Sequence, residues 1–155
     1  MTISRRALLE QGAGVTALLL GCGALAPAQA TGSGASKAAF EAKSMAEALR
    51  ALGYAAPQES NQVQLNVPDI AENGAAVPVG VSASLPGVRQ LLVLIEKNPA
   101  ALAAVYHLTP ELEPQVLTRV KLSQSSLVYG VAVTQDMRVL YAQREVKVTL
   151  GGCGG

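Results

Sequence analysis

The chain contains few of the residues from which metal sites, disulfides and nucleic-acid surfaces are built. Its 155 residues include no tryptophan, one histidine and two cysteines, and only 15% are charged. A metal site needs several ligands, so the single histidine, His107, is predicted to lie at the surface or in a turn. With 12 basic and 11 acidic side chains, the chain has no basic stripe for phosphate groups, which argues against nucleic acid as a partner.

The first thirty residues have the pattern of an export signal. Ser4-Arg5-Arg6-Ala7-Leu8-Leu9 supplies paired arginines, a moderately apolar stretch follows, and Ala28-Gln29-Ala30 is a small-residue cleavage site. The arginine pair resembles a twin-arginine (Tat) signal, although Leu8 and Glu10 depart from the usual pattern. We expect residues 1–30 to be removed on export, which leaves a periplasmic protein that is not held at the membrane.

Two alternatives to this cleavage remain open. The segment could stay as an uncleaved anchor, but a membrane span needs about 20 consecutive apolar residues, and here glycines interrupt a shorter stretch. Leu19-Leu20-Gly21-Cys22 also resembles a loose lipoprotein signal, in which Cys22 would be lipidated. Cleavage after Ala30 fits the sequence better than either.

Cleavage would change the meaning of the cysteine count. Cys22 would leave with the signal, and Cys153 would be the single cysteine in a mature chain of 125 residues, enough for one domain. Exported domains normally pair their cysteines, so an odd one indicates a reactive thiol or an intermolecular disulfide.

The remaining chain is predicted to form one domain over residues 36–150, after a Gly/Ser linker at 31–35. Ser36 can cap a helix that runs to about Leu52 and ends at Gly53. The apolar face of that helix is predicted to consist of Phe40, Met45, Ala48, Leu49 and Leu52.

Short strands with alternating apolar residues follow Pro57. The clearest are Val63–Val67, Val77–Val81, the continuous apolar run Leu91–Ile95, Leu127–Val133 and Val139–Leu150, with weaker candidates at Leu102–Leu108 and Gln115–Leu122. Turns are predicted at Asn73-Gly74 (with positive φ), Pro86-Gly87, Asn98-Pro99 and Gln135-Asp136. Turn chemistry also accounts for Glu72, and three tyrosines in the strands are expected to pack: Tyr106, Tyr129 and Tyr141.

This order of elements predicts an all-β protein. About seven short strands separated by turns favour an immunoglobulin-like antiparallel β-sandwich with an N-terminal helix. Strand–helix–strand crossovers are absent from the pattern, which argues against a nucleotide-binding α/β fold. Without tryptophan and the cysteine pair of antibody domains, the sandwich is not antibody-like.

The sequence ends with a cysteine placed between two glycine pairs, Gly151-Gly152-Cys153-Gly154-Gly155. Glycine has no Cβ and adopts almost all backbone conformations, so these residues are predicted to form a flexible arm that carries the thiol. Such an arm could enter a narrow active site. A catalytic cysteine needs a fixed base and orienting groups, so this arrangement favours a covalent carrier over an enzyme.

Three other interpretations of this segment were considered. The cysteine could be incidental, or it could link two chains through a disulfide and make the protein a structural module. Alternatively, a terminal Gly-Gly can carry sulfur as a thiocarboxylate, which would place the chemistry on Gly155. That route needs ATP, which an exported protein would not normally meet.

Several motifs together resemble the SoxY family of sulfur carriers. The glycine-flanked cysteine follows Val146-Lys147-Val148-Thr149, as in that family. Ile70-Ala71-Glu72-Asn73-Gly74, Val77-Pro78-Val79 and the turn Glu96-Lys97-Asn98-Pro99 are also similar to it, and so is the Tat-like signal.

The resemblance implies a specific role for Cys153. In this family the cysteine accepts thiosulfate in a step catalysed by a c-type cytochrome, a dimanganese hydrolase releases sulfate, and a molybdenum-haem sulfane dehydrogenase oxidises the remaining sulfur. The subunit pairs with a SoxZ partner. The implied site is therefore Cys153 as the attachment point, with Gly151, Gly152, Gly154 and Gly155 as the swinging arm, and the metal and haem cofactors belong to the partners.

Overall fold

The alternating apolar segments fold into two β-sheets that pack face to face. The computed structural model describes residues 33–150, with side chains described between residues 37 and 149. The two helices are α1 (Ser33–Glu41) and α2 (Met45–Ala51). The strands are β1 (Gln58–Glu59), β2 (Val63–Asn66), β3 (Ile70–Asn73), β4 (Val77–Ala83), β5 (Val88–Ile95), β6 (Leu102–His107), β7 (Gln115–Val120), β8 (Ser126–Thr134) and β9 (Val139–Leu150).

The sheets have the topology of a sandwich. The larger sheet has the order β1-β9-β8-β5-β6, and the smaller one has the order β2-β4-β7. Neighbouring strands are antiparallel except β1 and β3, which both pair with β9 in the parallel direction. The predicted immunoglobulin-like sandwich is confirmed. The two short parallel pairings are features that the alternating pattern did not indicate.

Strand β5 is buried on both faces. Leu91, Val93 and Ile95 face the smaller sheet, while Leu92 and Leu94 face the helices, and all five are fully buried. A strand with a covered face on each side reads as a continuous apolar run, which is the pattern predicted for it. Burial of each such side chain stabilises the fold by about 1.5–3 kcal/mol.

The predicted single helix is wrong, because the described residues form two helices over this segment. Ser44 caps α2, with its hydroxyl accepting a hydrogen bond from the Glu47 N–H at 3.2 Å. The Glu47 carboxylate in turn accepts from the Lys43 N–H at 2.9 Å. Ser44-Met45-Ala46-Glu47 is thus a capping-box sequence, and it starts a new helix inside the predicted one.

The helix boundaries and the buried face also differ from the prediction. Helix α1 begins at Ser33, so Ser36 lies inside it and the predicted linker is partly helical. Phe40 is 41% exposed, and the side chain that α1 buries completely is Ala39. The end at Gly53 is confirmed, since this residue adopts φ +78° after the helix. Neither described helix has the length and apolar character required to cross a membrane.

The turns follow the prediction with one exception. Gly87 has φ +69°, as expected for the Pro86-Gly87 turn, but the positive φ predicted at Asn73-Gly74 is wrong. That segment passes from β3 in the larger sheet towards β4 in the smaller one, so it does not close a hairpin. The Asn73 side-chain oxygen instead accepts a hydrogen bond from the Ala75 N–H at 2.8 Å.

Gly130 in β8 lies where the two sheets are in close contact. A Cβ on this residue would lie 3.0 Å from Val81 Cγ1 and 3.3 Å from Leu65 Cδ1, both on the smaller sheet. Val81 is fully buried, so it has little room to move away. A Cβ here would therefore require the Val81 and Leu65 side chains to shift by a few tenths of an ångström.

We expect Gly130→Ala to lower the free energy of unfolding by about 1–3 kcal/mol, because overpacking displaces buried side chains. Gly80→Ala is the matched control, since its Cβ would lie at ordinary contact distances, 3.4 Å from Asn66 Cβ and 3.7 Å from Leu117 Cδ1. Urea unfolding of both variants measures the difference. Equal stabilities for the two variants would contradict the close packing at Gly130.

Candidate functional site

The described part of the site is the end of strand β9. Cys153 and its four glycines lie outside the described residues, and their proposed role stays a prediction. Strand β9 runs to Leu150, so Cys153 is three residues beyond it in the sequence. The structure thus describes how the segment that carries the thiol is attached to the domain.

Strand β9 continues past the beginning of its neighbour β8. The first residue of β8, Ser126, pairs with Val146, and Lys147–Leu150 (hereafter the β9 end) extend beyond it. Unpaired strand ends fray because their backbone hydrogen bonds are exposed to water. The β9 end, however, has partners on both of its edges.

The first edge of the β9 end is covered by β3. These strands are parallel, with Asn73 opposite Leu150 and two further residue pairs before it. The Lys147 N–H donates to the Asp69 carbonyl at 2.9 Å. The Thr149 hydroxyl donates to the carbonyl of Glu72 at 3.0 Å.

The second edge is held by a side chain that substitutes for the missing part of β8. The Ser125 hydroxyl oxygen accepts a hydrogen bond from the Val148 N–H at 2.9 Å. Successive N–H groups of a strand point to opposite edges, so Lys147 is bound on the β3 side and Val148 on the β8 side. The backbone of the β9 end is therefore fixed from both sides.

The loop that contains Ser125 is held in turn by Asn98. The Asn98 side-chain nitrogen donates to the Lys121 carbonyl at 2.7 Å, and its oxygen accepts from the Ser123 N–H at 3.1 Å. The Ser123 hydroxyl also lies 3.1 Å from that oxygen. One amide side chain thus connects the Glu96–Pro99 turn to the loop before β8.

The two faces of the β9 end differ in polarity, as the alternation predicted. Val146 is fully buried in the core between the sheets, and Val148 packs against that core. Lys147 and Thr149 are exposed. Buried valines on one face and hydrogen bonds on both edges attach the strand firmly up to its last described residue.

The described residues near the β9 end supply attachment and no catalytic constellation. Over the described part of the chain, no group of three His, Cys, Asp or Glu side chains could hold a metal ion. His107 is exposed at the end of β6, where its Nδ1 lies 2.9 Å from Gln90 Nε2, so its surface position is confirmed.

Tyr129 connects the turn at Glu96 to the helix-covered face of the larger sheet. It is buried, and its ring meets that of Tyr141 edge-on with centroids 6.0 Å apart. Tyr106 is half-buried on β6, so the expectation that these three tyrosines pack is confirmed. Burial raises the pKa of Tyr129, and the negative charge of Glu96 raises it further.

Comparison with known proteins identifies the family of this chain. A family model described as sulfur oxidation protein SoxY matches residues 49–153. The chain belongs to the SoxY family. The match begins inside α2 and extends through Cys153, so the matched range spans the β9 end and reaches the cysteine.

Solved structures agree with the family match. The sulfur carrier protein SoxY from Chlorobium limicola f thiosulfatophilum is 32% identical, with a TM-score of 0.59, over 66% of this chain and 92% of that one. A superoxide reductase (neelaredoxin) from Ignicoccus hospitalis has a TM-score of 0.51 at 20% identity, over 64% of this chain and 86% of its own. At that identity the likeness shows the fold alone. No curated protein matches the chain.

The sequence indicates a turn at Asn98-Pro99, but it does not indicate what Asn98 and Ser125 do in the fold. The roles of both residues depend on the contact between the 96–99 turn and the 121–126 loop. Asn98 and Ser123, which make that contact, are 25 positions apart. The sequence signal was the asparagine itself, whose amide can donate and accept at once.

We expect Asn98→Ala to lower the free energy of unfolding by about 1–2 kcal/mol, because the Lys121 carbonyl and the Ser123 N–H both lose their partner. Asn61→Ala, in the exposed turn before β2, is the control and should change stability by less than about 0.5 kcal/mol. Urea unfolding at neutral pH compares the two variants. Equal effects would show that Asn98 does not hold the loop.

Tyr129 gives the stability of this SoxY protein a dependence on alkaline pH. Its folded-state pKa is raised above the ordinary value of 10.0, so the neutral phenol is favoured by folding. This contribution is fully present below about pH 10 and is lost as the pH rises through the folded-state pKa. We expect the free energy of unfolding of Tyr129→Phe to fall less steeply with pH than that of the wild type above about pH 10.

The Tyr106→Phe variant is the matched control for this titration, because Tyr106 is half-buried and lies on another strand. It should keep the steep loss of stability. If the wild type and Tyr129→Phe had parallel curves in a series of urea unfolding experiments, burial near Glu96 would not be the cause.

Proposed function

We propose that this SoxY protein is a sulfur carrier that binds thiosulfate-derived intermediates covalently on Cys153 and presents them to partner enzymes. The observation that carries the proposal is the family match, which extends through Cys153. The related protein of known structure is itself described as a sulfur carrier protein. The firmly attached β9 end directly before residues 151–155 fits a domain that carries a thiol for other proteins.

The first step is an oxidation of thiosulfate and the thiol. The Cys153 sulfur forms a bond with the outer sulfur of thiosulfate, the thiol proton goes to solvent, and two electrons pass to a c-type cytochrome partner. The product is an S-thiosulfonate on Cys153. The chain supplies the thiol, and the oxidant belongs to the partner.

Later steps remove the cargo and restore the thiol. Water attacks the terminal sulfonate in a dimanganese hydrolase partner, which releases sulfate with two protons and leaves a persulfide anion on Cys153. A molybdenum-haem sulfane dehydrogenase partner then oxidises the outer sulfur to a sulfonate, with three oxygen atoms from water and six electrons passing to that partner. A second hydrolysis releases sulfate and restores the Cys153 thiol. In this proposal the metal and haem cofactors of these reactions belong to the partners, and this chain contributes the thiol that holds the cargo.

The four glycines suit a thiol that must enter several active sites. A glycine backbone is thin and adopts many conformations, so it can follow a narrow channel. At about 3.3–3.6 Å per residue, Cys153 can stand about 10 Å from Leu150. We propose that residues 151–155 act as the swinging arm.

The proposed setting is the periplasm. Export through the Tat-like signal would place the protein there, where it would pair with a SoxZ-like subunit. A disulfide between two Cys153 residues could form as a resting state of the pair, since exposed thiols oxidise readily in that compartment.

We expect Cys153→Ser to abolish thiosulfate conjugation and sulfate release, because an alcohol does not form the sulfur–sulfur bond. The variant is purified with its SoxZ-like subunit and incubated with thiosulfate and the three partner enzymes. Sulfate formation is measured, and intact mass reports the adduct. Sulfate formation at the wild-type rate would contradict the proposal.

Ser84→Ala is the control, because it alters an exposed hydroxyl on the domain and should leave conjugation unchanged. Fragment masses also separate the alternatives. Extra mass on Gly155 instead of Cys153 would indicate a thiocarboxylate carrier, although those carriers resemble ubiquitin and this fold is a sandwich. A Cys153 disulfide with no sulfur adduct, after incubation with the partners, would indicate a structural module.

A further inference from the structure

We propose that Ser125 and Asn98 are positioning residues that fix the point from which the arm leaves the domain. The inference rests on the proposed function, since it concerns how far Cys153 can reach. Ser125 holds the backbone of the β9 end through Val148, and Asn98 holds the loop that contains Ser125. Both side chains act on the described part of the chain, up to the last residues of β9.

The need for Ser125 follows from the pairing of β9. Strand β8 begins at Ser126, which pairs with Val146, so the Val148 N–H lies beyond the last residue pair between β8 and β9. That group lies in a part-buried position, where an unsatisfied donor is costly. The Ser125 hydroxyl is the acceptor that replaces a strand residue there.

Asn98 helps to fix the position of Ser125. Residues 121–125 form no regular structure. Leu122 is fully buried and its N–H donates to the Gly74 carbonyl at 2.7 Å, while side-chain hydrogen bonds hold the residues on either side of it. Asn98 binds it at Lys121 and Ser123, and Ser126 binds the same turn through the Lys97 N–H at 3.0 Å. This gives the Glu96–Pro99 turn a function: it supports the loop that supports the β9 end.

The consequence for the thiol is a change in tether length. With the β9 end fixed, three residues separate Cys153 from Leu150, whereas seven would separate it from Val146 if that end frayed. Four freed residues would extend the reach by about 13 Å at 3.3 Å each. Because effective concentration falls roughly as the −3/2 power of tether length, the thiol would be about three- to fourfold more dilute at a docked active site.

The first test measures the attachment without any sulfur chemistry. In the mature protein with its SoxZ-like subunit, Cys153 and an added Glu59→Cys on exposed β1 receive thiol-specific nitroxide labels. We expect Ser125→Ala to broaden the distribution of distances between the labels towards longer values, by up to about 13 Å. Hydrogen exchange of the Val148 amide should become about tenfold faster.

The second test measures transfer. With the c-type cytochrome partner and thiosulfate, Ser125→Ala should lower kcat for conjugation about three- to fourfold and leave KM for the carrier nearly unchanged, because the docking surface is retained. Ser125→Thr keeps the hydroxyl and should restore both kcat and the narrow distance distribution. Asn98→Ala should reproduce the effect of Ser125→Ala.

Ser84→Ala is the control, because the Ser84 hydroxyl also binds a backbone group: it donates to the Gln62 carbonyl at 3.3 Å. Ser84 directly follows β4 and, among the described residues, has no hydrogen bond to β9 or to the loop before β8. It should alter neither the distances nor kcat. An unchanged distance distribution in Ser125→Ala would overturn the positioning role. A broadened distribution in a protein that forms no adduct on Cys153 would overturn the proposed carrier function and leave the attachment role intact.

Discussion

The rest of the structure depends on strand β9 being paired along both of its edges. Strand β8 covers one edge from Val139 to Val146, and β1 and β3 cover parts of the other in the parallel direction. The same strand contributes buried side chains to the core between the sheets, including Leu140 and Val146. Core packing and the attachment of the thiol segment are therefore properties of one element.

Most of the sandwich could be predicted because its strands show a period of two. Alternation in β4 and a continuous apolar run in β5 reflect one covered face and two covered faces, and both signals lie within a few residues. The parallel pairing of β3 with β9 could not be predicted from such a local signal, because Glu72 and Thr149, which are in contact, are 77 positions apart. The helix break at Ser44 had a local signal, the capping box, which the stronger apolar period obscured.

The candidate site also has one part that the sequence reveals and another that only the fold reveals. Cys153 was found from the odd cysteine count and its glycine neighbours, which are properties of the sequence alone. Ser125 and Asn98 act through backbone groups that are remote in sequence, and a serine or asparagine in a loop is explained equally well by turn chemistry. Their roles follow only when the β9 end is seen to extend beyond β8.

The pairing of the β9 end has a mechanical consequence. The hydrogen bonds to β3 and Ser125 lie across the axis of β9. A pull on the chain along that axis would load these bonds together in shear and would not open them one after another, as peeling from a strand end does. Residues 147–150 would thus resist such a pull while the sandwich behind them stays folded.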